Sequence, residues 1–196
     1  VFEMLDTAVK LYNEDYEIIE GEKIMSPSPS RTHMYIMMNL FLKFHQYFLR
    51  KNIFARIFTD NMDVHLPDGN LVKPDLSVVC DIESLRRGAT VHGVPDFVAE
   101  ILSRSTMYRD LTTKKNIYEK NGVKEYWIID QWGKTVSVYL LRDGKLELDN
   151  IYGVYSELEW EELSDTEKAV INFDIPVSIF DGLVINVNEI FYRIED

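Results

Sequence analysis

Hydrophobic positions in the first fifty residues follow two periods. Phe2, Leu5, Ala8, Val9 and Tyr12 recur at helical spacing, and Asn13-Glu14-Asp15 breaks the pattern. Tyr16-Glu17-Ile18-Ile19-Glu20 and Lys23-Ile24-Met25 read as a strand pair around Gly21-Glu22. After the break at Ser26-Pro27-Ser28-Pro29, Ser30 is placed to N-cap a long amphipathic helix over about Thr32 to Arg50. Its predicted apolar face uses Met34, Met37, Met38, Phe41, Phe44 and Phe48. Strand runs follow at Ile53–Ile57, Met62–Leu66 and Val72–Cys80, the last two joined by the Pro67-Asp68-Gly69-Asn70 turn, and Cys80 is expected to be a buried strand residue. Phe97 to Leu102 is a further strand. A second helix is predicted from about Thr106 to Asn121, with Gly122 as its C′ residue. Strands at Val123–Asp130 and Thr135–Leu141 come next, with a turn at Arg142-Asp143-Gly144. Alternation places Trp127 and Ile129 on the opposite face from Tyr126 and Ile128. From Ile151 the chain reads as short strands and turns, closed by a short apolar helix near Val187–Tyr192.

This order of elements predicts an α/β protein with a twisted, mixed central sheet flanked by helices. A length of 196 residues with 46% hydrophobic residues suits one domain over 1–196, with a core of about 14–141 and a C-terminal strand-and-turn extension over 151–196. No Gly-rich phosphate loop follows a strand, which argues against a dinucleotide fold, and no Cys/His cluster has zinc spacing. Cys80 is the one cysteine, so no intrachain disulfide can form. No apolar run approaches the ~18 residues of a membrane span. The first residues, Val1-Phe2-Glu3-Met4, lack the basic and apolar segments of a signal peptide. A soluble, cytoplasmic protein with no membrane partner is expected. The formal charge of −12 counts against nucleic-acid binding, which favours a basic face. A local basic groove can coexist with an acidic remainder, and acidic metal ligands add to the negative total.

Candidate chemistry begins at Lys73-Pro74-Asp75, where a proline suited to a strand start fixes the Asp75 carboxylate. Glu100 stands between Ala99 and Ile101 in an apolar strand, where an unpaired carboxylate costs several kcal/mol, roughly, unless a cation or lysine offsets it. Two carboxylates from neighbouring strands form a hard oxygen site suited to Mg²⁺ (or Mn²⁺), with the Ile101 carbonyl as a further ligand. Such an ion neutralises a phosphate oxygen and acidifies an attacking water. On the second helix, Asp110, Lys114 and Tyr118 are spaced four apart and share a face. Lys114 can reach back to the sheet and stabilise charge on phosphorus, with Asp110 pairing to hold it.

These segments resemble the Uma-two family of putative restriction endonucleases, within the PD-(D/E)xK superfamily. The resemblance runs over nearly the whole chain. It covers Tyr16 to Glu22, Ser26-Pro27-Ser28-Pro29, His33, Asp63-Val64, Lys73 to Val79, Gly93 to Ser105, Asp110 to Tyr118 and Gly122 to Asp130. It implies a restriction-endonuclease-like α/β fold, a Mg²⁺ site at Asp75 and Glu100, and hydrolysis of a nucleic-acid phosphodiester, with DNA as the expected partner. In the superfamily pattern a lysine follows the acid by two residues. Leu102 stands there instead, and the resemblance implies that Lys114 has taken the lysine's place. Arg104 replaces the family's usual proline. The resemblance also implies that Glu22 is an additional metal-side acid and His33 a phosphate or water contact.

Taken singly, each residue has a plainer reading. Pro74-Asp75 fits a strand start, Asp110–Lys114 a solvated helix pair, Tyr118 a core position and His33 the surface. His45, His65 and His92 carry no signal. Two alternatives to the nuclease stay open: a catalytically silent binding or assembly protein on the same fold, and a hydrolase of small phosphodiesters, which an acidic surface tolerates better than long DNA. Aromatic-rich edges make a homodimer an expected assembly.

Overall fold

Proline 74 divides the apolar run from Leu71 to Val79. A proline offers no N–H to a ladder, and the residues on its two sides join different sheets. In the computed structural model, which describes residues 15–26, 28–60, 62–85 and 88–194, β5 (Leu71–Val72) lies in a five-stranded sheet and β6 (Leu76–Val79) in a six-stranded one. The expected helix over Phe2 to Tyr12 lies outside the described residues.

The smaller sheet has the order β2-β1-β5-β4-β7, formed by β1 (Tyr16–Ile19), β2 (Glu22–Met25), β4 (Val64–His65), β5 and β7 (Val91–His92). The β4–β5 connection is the expected turn, with Gly69 at φ 92°, a conformation glycine adopts without steric cost. The central sheet has the order β11-β10-β9-β8-β6-β3. It comprises β3 (Arg56–Thr59), β6, β8 (Phe97–Ile101), β9 (Glu125–Asp130), β10 (Thr135–Arg142) and β11 (Lys145–Gly153). Strands β8 and β9 pair in parallel and the other neighbours are antiparallel, so the sheet is mixed. Parallel pairing demands a crossover, and the helical segment over 107–121 supplies it.

Both faces of this sheet are covered. Helix α1 (Arg31–Lys51) packs Ile36, Leu40, Phe44 and Phe48 against Phe97, Ala99, Trp127 and Ile129. Helix α2, over 107–121, packs Ile117 and Tyr118 against Val98, Tyr126 and Ile128. The alternation along β9 therefore has apolar neighbours on both sides, as the sequence predicts. Residues near the C-terminus join the α1 side: β12 (Asp174–Pro176), β13 (Val184–Asn186) and a short helix (Val187–Ile190) bring Ile175, Ile185 and Ile190 into that core. Helices Glu157–Glu162 and Asp165–Val170, each with a Ser capping box, stand where the sequence suggested strands and turns.

Three expectations need correction. The buried face of α1 is His33, Ile36, Met37, Leu40, Phe44, Tyr47 and Phe48, while Met34 and Met38 are exposed. Cys80 is exposed, because β6 ends at Val79. Helix α2 is not one regular α-helix: Met107–Arg109 and Lys115–Asn121 are α-helical, but Asp110–Lys114 between them is π-helical. Among the described residues, no helix is long and apolar enough to cross a membrane.

Candidate active site

Register brings the two predicted carboxylates together. Leu76 pairs with Ala99 across β6 and β8, so continuing the ladder by one residue sets Asp75 beside Glu100. Asp75 is tied there, since its Oδ2 accepts the Ile101 N–H at 2.6 Å. Along β8, Phe97, Ala99 and Ile101 face α1, and Val98 faces α2. Glu100 has the parity of Val98 and so points to the α2 side. There its Oε1 accepts from Lys114 Nζ at 2.6 Å and from the Tyr118 hydroxyl at 2.6 Å. Glu100 and Lys114 are each 3% exposed.

A third carboxylate completes this network, and it is not the one the resemblance implied. Glu17 on β1 receives Lys114 Nζ at 2.9 Å, the Lys73 N–H at 2.9 Å and Arg109 Nη2 at 3.5 Å. Glu22 lies on β2 with an exposed side chain and does not line the cleft. Strand parity accounts for the difference: Glu17 shares the face of buried Ile19, so it turns inward. That parity was readable, because an acid on the apolar face of a strand is the same signal that singled out Glu100. Lys114 thus sits between Glu100 and Glu17, and the expected pairing of Asp110 with Lys114 gives way to this bridge. Asp110 is buried and its side chain is held by Thr106. Leu102, at the superfamily's lysine position, is buried in the core, and its carbonyl accepts from Gln131 Nε2 at 2.6 Å.

The network opens into a cleft of about 430 Å³ that reaches from Ser26, Ser28 and Ser30 to Trp132. Asp75, Glu100, Ile101, Lys114, His33 and Asp110 all line it, and Tyr118 lies buried beside Glu100. Its charges are Asp15, Glu17, Asp60, Asp75, Glu100 and Asp110 against Lys73, Arg104, Arg109 and Lys114, so the cleft is not locally basic. Lys73 is itself engaged by Asp15 and Asp63. Arg104, in the place of the family's proline, lays its guanidinium 5.7 Å from the Trp132 ring centre at the cleft's edge.

Protonation follows from this crowding. Burial pushes the Glu100 carboxyl well above the usual carboxylate range. Lys114 opposes that rise, whereas Asp75, Asp110 and Glu17 add to it. Burial alone would lower the Lys114 ammonium, but Glu100 and Glu17 hold it well above the ordinary lysine value. Glu17 goes the other way: despite burial, Lys114, the Lys73 N–H and Arg109 keep its carboxyl below the usual range. Lys114 is therefore shared between the two carboxylates, and Asp75 and Asp110 leave Glu100 short of full compensation. The surplus of carboxylate oxygens around Asp75 and Glu100 is a donor set that would fit a divalent ion.

His33, in the first turn of α1, is 7% exposed. Its Nε2 is 3.2 Å from Asp75 Oδ1 as an ion pair and has no hydrogen-bond partner of good geometry among the described residues. Burial disfavours the imidazolium, but Asp75, with Asp60 and Asp110, raises its pKa above the ordinary value. Asp60, which follows β3, was not singled out in the sequence. His33, Asp60 and Asp75 each offer a ligand atom, and these atoms lie within 4.8 Å of one another.

Comparison with known proteins places the chain in a family and matches its fold. A family model described as "Uma2: Putative restriction endonuclease" matches residues 5–175. A solved structure described as a putative nuclease belonging to DUF820 from Anabaena variabilis ATCC 29413 superposes with a TM-score of 0.68 at 23% identity, covering 95% of this chain and 96% of that one. None of the curated proteins compared matches the chain.

Proposed function

The chain belongs to the Uma2 putative restriction endonuclease family, and from that premise we propose that it is a metal-dependent nuclease that hydrolyses a phosphodiester bond of DNA. One observation carries the reading. Glu100 and Lys114 form a buried pair at the floor of an open cleft, with Asp75 beside them and more carboxylates than cations around them. Asp75, Glu100 and the Ile101 carbonyl would hold Mg²⁺ (or Mn²⁺), which when bound supplies neutralisation of a phosphate oxygen and a more acidic water. Lys114 donates to whatever oxygen replaces its contact with Glu100, so it can orient the attacking water or stabilise charge on phosphorus. Glu17 keeps Lys114 charged and aimed. Glu17 takes the assisting role that the family pattern suggested for Glu22. Arg109 lines the cleft, and its guanidinium, with Nη2 3.5 Å from Glu17, could also meet a phosphate oxygen. The DUF820 neighbour, itself described as a putative nuclease, supports the same reading.

Incubation of supercoiled and linear DNA with Mg²⁺ tests it. Wild type is expected to cleave, and Asp75→Ala and Lys114→Ala to lose roughly a hundredfold or more, the usual scale for removing one charge-stabilising group. Equal cleavage by all three proteins would sink the assignment.

A second reading, hydrolysis of a small phosphodiester, is favoured by the charge of the cleft, where six carboxylates face four cations. Turnover of a chromogenic phosphodiester alongside inert DNA would select it.

A further inference from the structure

Among the candidate ligands of this cleft, one is a nitrogen. Mg²⁺ prefers an all-oxygen shell and keeps its waters, whereas imidazole draws manganese and the later first-row ions. His33 Nε2 is enclosed, lies 3.2 Å from Asp75 Oδ1, and has no hydrogen-bond partner of good geometry among the described residues. We propose that His33, Asp60 and Asp75 form a cation position of their own, which takes a divalent transition ion of the Mn²⁺ class in preference to Mg²⁺. The proposal rests on the cleft being a metal centre, as read above, and adds Asp60 and His33 to its ligands.

The three side chains come from three elements, and each is anchored independently of any ion. The Asp60 N–H donates to the Asp75 carbonyl at 3.1 Å, which holds the two acids side by side where β3 ends and β6 begins. The His33 N–H donates to Ser30 Oγ at 3.1 Å, which fixes the first turn of α1 and the root of the imidazole. Asp75 divides its oxygens: Oδ2 is held by the Ile101 N–H, and Oδ1 faces His33. The ligand atoms lie within 4.8 Å of one another. Bonds of about 2.0–2.2 Å to nitrogen and oxygen draw such a trio together by small side-chain rotations. Glu100 is outside the trio; its Oε1 accepts from Lys114 and Tyr118, which leaves Oε2 for the Glu100-side position. Asp75 is then shared, with an oxygen-only position on the Glu100 side and a nitrogen-containing one on the His33 side.

Titration of the full chain with Mn²⁺ and with Mg²⁺, followed by calorimetry and by loss of the free-Mn²⁺ electron paramagnetic resonance signal, tests the assignment. Wild type is expected to bind Mn²⁺ about tenfold or more tighter than Mg²⁺. His33→Gln and Asp60→Asn are each expected to weaken Mn²⁺ about tenfold or more and to leave Mg²⁺ binding within about twofold. Glu100→Gln should do the reverse. Equal Mn²⁺ affinity in wild type, His33→Gln and Asp60→Asn overturns the proposal and leaves His33–Asp75 as an ion pair only, and so does equal wild-type affinity for the two metals. Asp60→Asn is close in shape and only partly buried, so it decides the matter if His33→Gln does not fold. The outcome is separable from the nuclease reading. Mn²⁺ bound through His33 and Asp60 by a chain that cleaves nothing would remove the activity and keep the site, whereas Mg²⁺-dependent cleavage with unaltered Mn²⁺ binding in both variants would do the opposite.

Discussion

Two buried glutamates show what separates a site from a structural clasp. Glu125, on β9, is fully buried, and it accepts from Trp127 Nε1, from the Ser178 N–H and from the Ser178 hydroxyl. Its donors are neutral and fixed, so it fastens the C-terminal segment to the sheet. Glu100 is met by a lysine and a phenol and opens onto a cleft. Removing the lysine should expose the difference. Lys114→Met leaves Glu100 without a cation and Glu17 with Arg109 alone, and loss of one partner of a buried pair costs about 3–5 kcal/mol. Urea unfolding in EDTA at pH 7 is expected to show a loss of that size. The loss should shrink toward pH 4: with its carboxyl raised above the unfolded value, the native state binds more protons, so stability falls as pH rises through that interval. A pH-independent loss would mean that the two carboxylates are not what Lys114 compensates. Asp75 and Glu100 were legible because each breaks a local rule, a proline-led acid and an acid within an apolar strand. Glu17 and His33 broke rules too, the first sharing the face of Ile19 and the second lying one turn before Met37 on the buried stripe. Both signals were in the sequence, but solvent exposure is the commoner fate of each residue type. Asp60 gave no such signal, since only the pairing of β3 with β6 brings it to Asp75.

Elements were most legible where the sequence carried punctuation. Ser30 caps α1, Gly122 in the left-handed region closes α2, and Pro74 separates β5 from β6. The rotation of α1 was less legible, because Met34, Tyr35, Ile36, Met37 and Met38 are apolar in succession and several stripes fit the same period. The π-helical turn at Asp110–Lys114 had no mark, since 107–121 contains no glycine or proline. Such turns recur at functional sites, and this one carries two cleft-lining residues, Asp110 and Lys114. A charged clamp at the opposite end of the sheet gives a prediction free of the site. Asp96 Oδ2 accepts the Cys80 N–H at 2.8 Å where β6 ends, and Oδ1 accepts Lys124 Nζ at 2.6 Å just before β9. Burial raises its carboxyl, but Lys124 and the Cys80 N–H outweigh burial and leave it below the usual value. The lysine is mostly exposed, so the backbone bond carries most of the worth. Asp96→Ala is expected to lose about 1–2 kcal/mol at pH 7. A depressed carboxyl stabilises above its unfolded pKa and stops doing so as pH falls through the folded one, so the two proteins should converge only in acid below the ordinary aspartate range. Chemical denaturation across that range checks it, and a gap that persists in acid would rule out the charged form as its source.

At the scale of the whole molecule the cleft is non-local. Its walls draw on β1, the start of α1, the end of β3, the start of β6, β8, α2 and the turn after β9. The α/β class and the flanking helices were legible from element order, but the split into two sheets and the convergence of these walls depend on long-range pairing that no local pattern encodes. Charge is the property that composition anticipated, and it bears on the substrate. The formal charge of −12 is not relieved inside the cleft, where Lys114 is enclosed by Glu17 and Glu100 and Lys73 is engaged by Asp15 and Asp63. Arg104 and Arg109 are the cleft cations least enclosed by carboxylates: one lies over Trp132 at the edge, and the other meets Glu17 only at 3.5 Å. Each phosphate neutralised on a duplex contributes about −0.9 to the slope of log K against log salt, so contact through these two arginines gives a slope of about −2. Fluorescence anisotropy with labelled duplex in EDTA, from low to moderate salt, should return that shallow slope together with weak binding. Arg104→Ala and Arg109→Ala should each reduce its magnitude by about one. Divalent ions should tighten binding beyond what the arginines provide, because each ion cancels carboxylate charge that otherwise repels the backbone. A slope of −5 or steeper, on the order of six phosphates, would show that DNA is held by a basic surface outside this cleft, and the catalytic approach would then have to be sought from that surface.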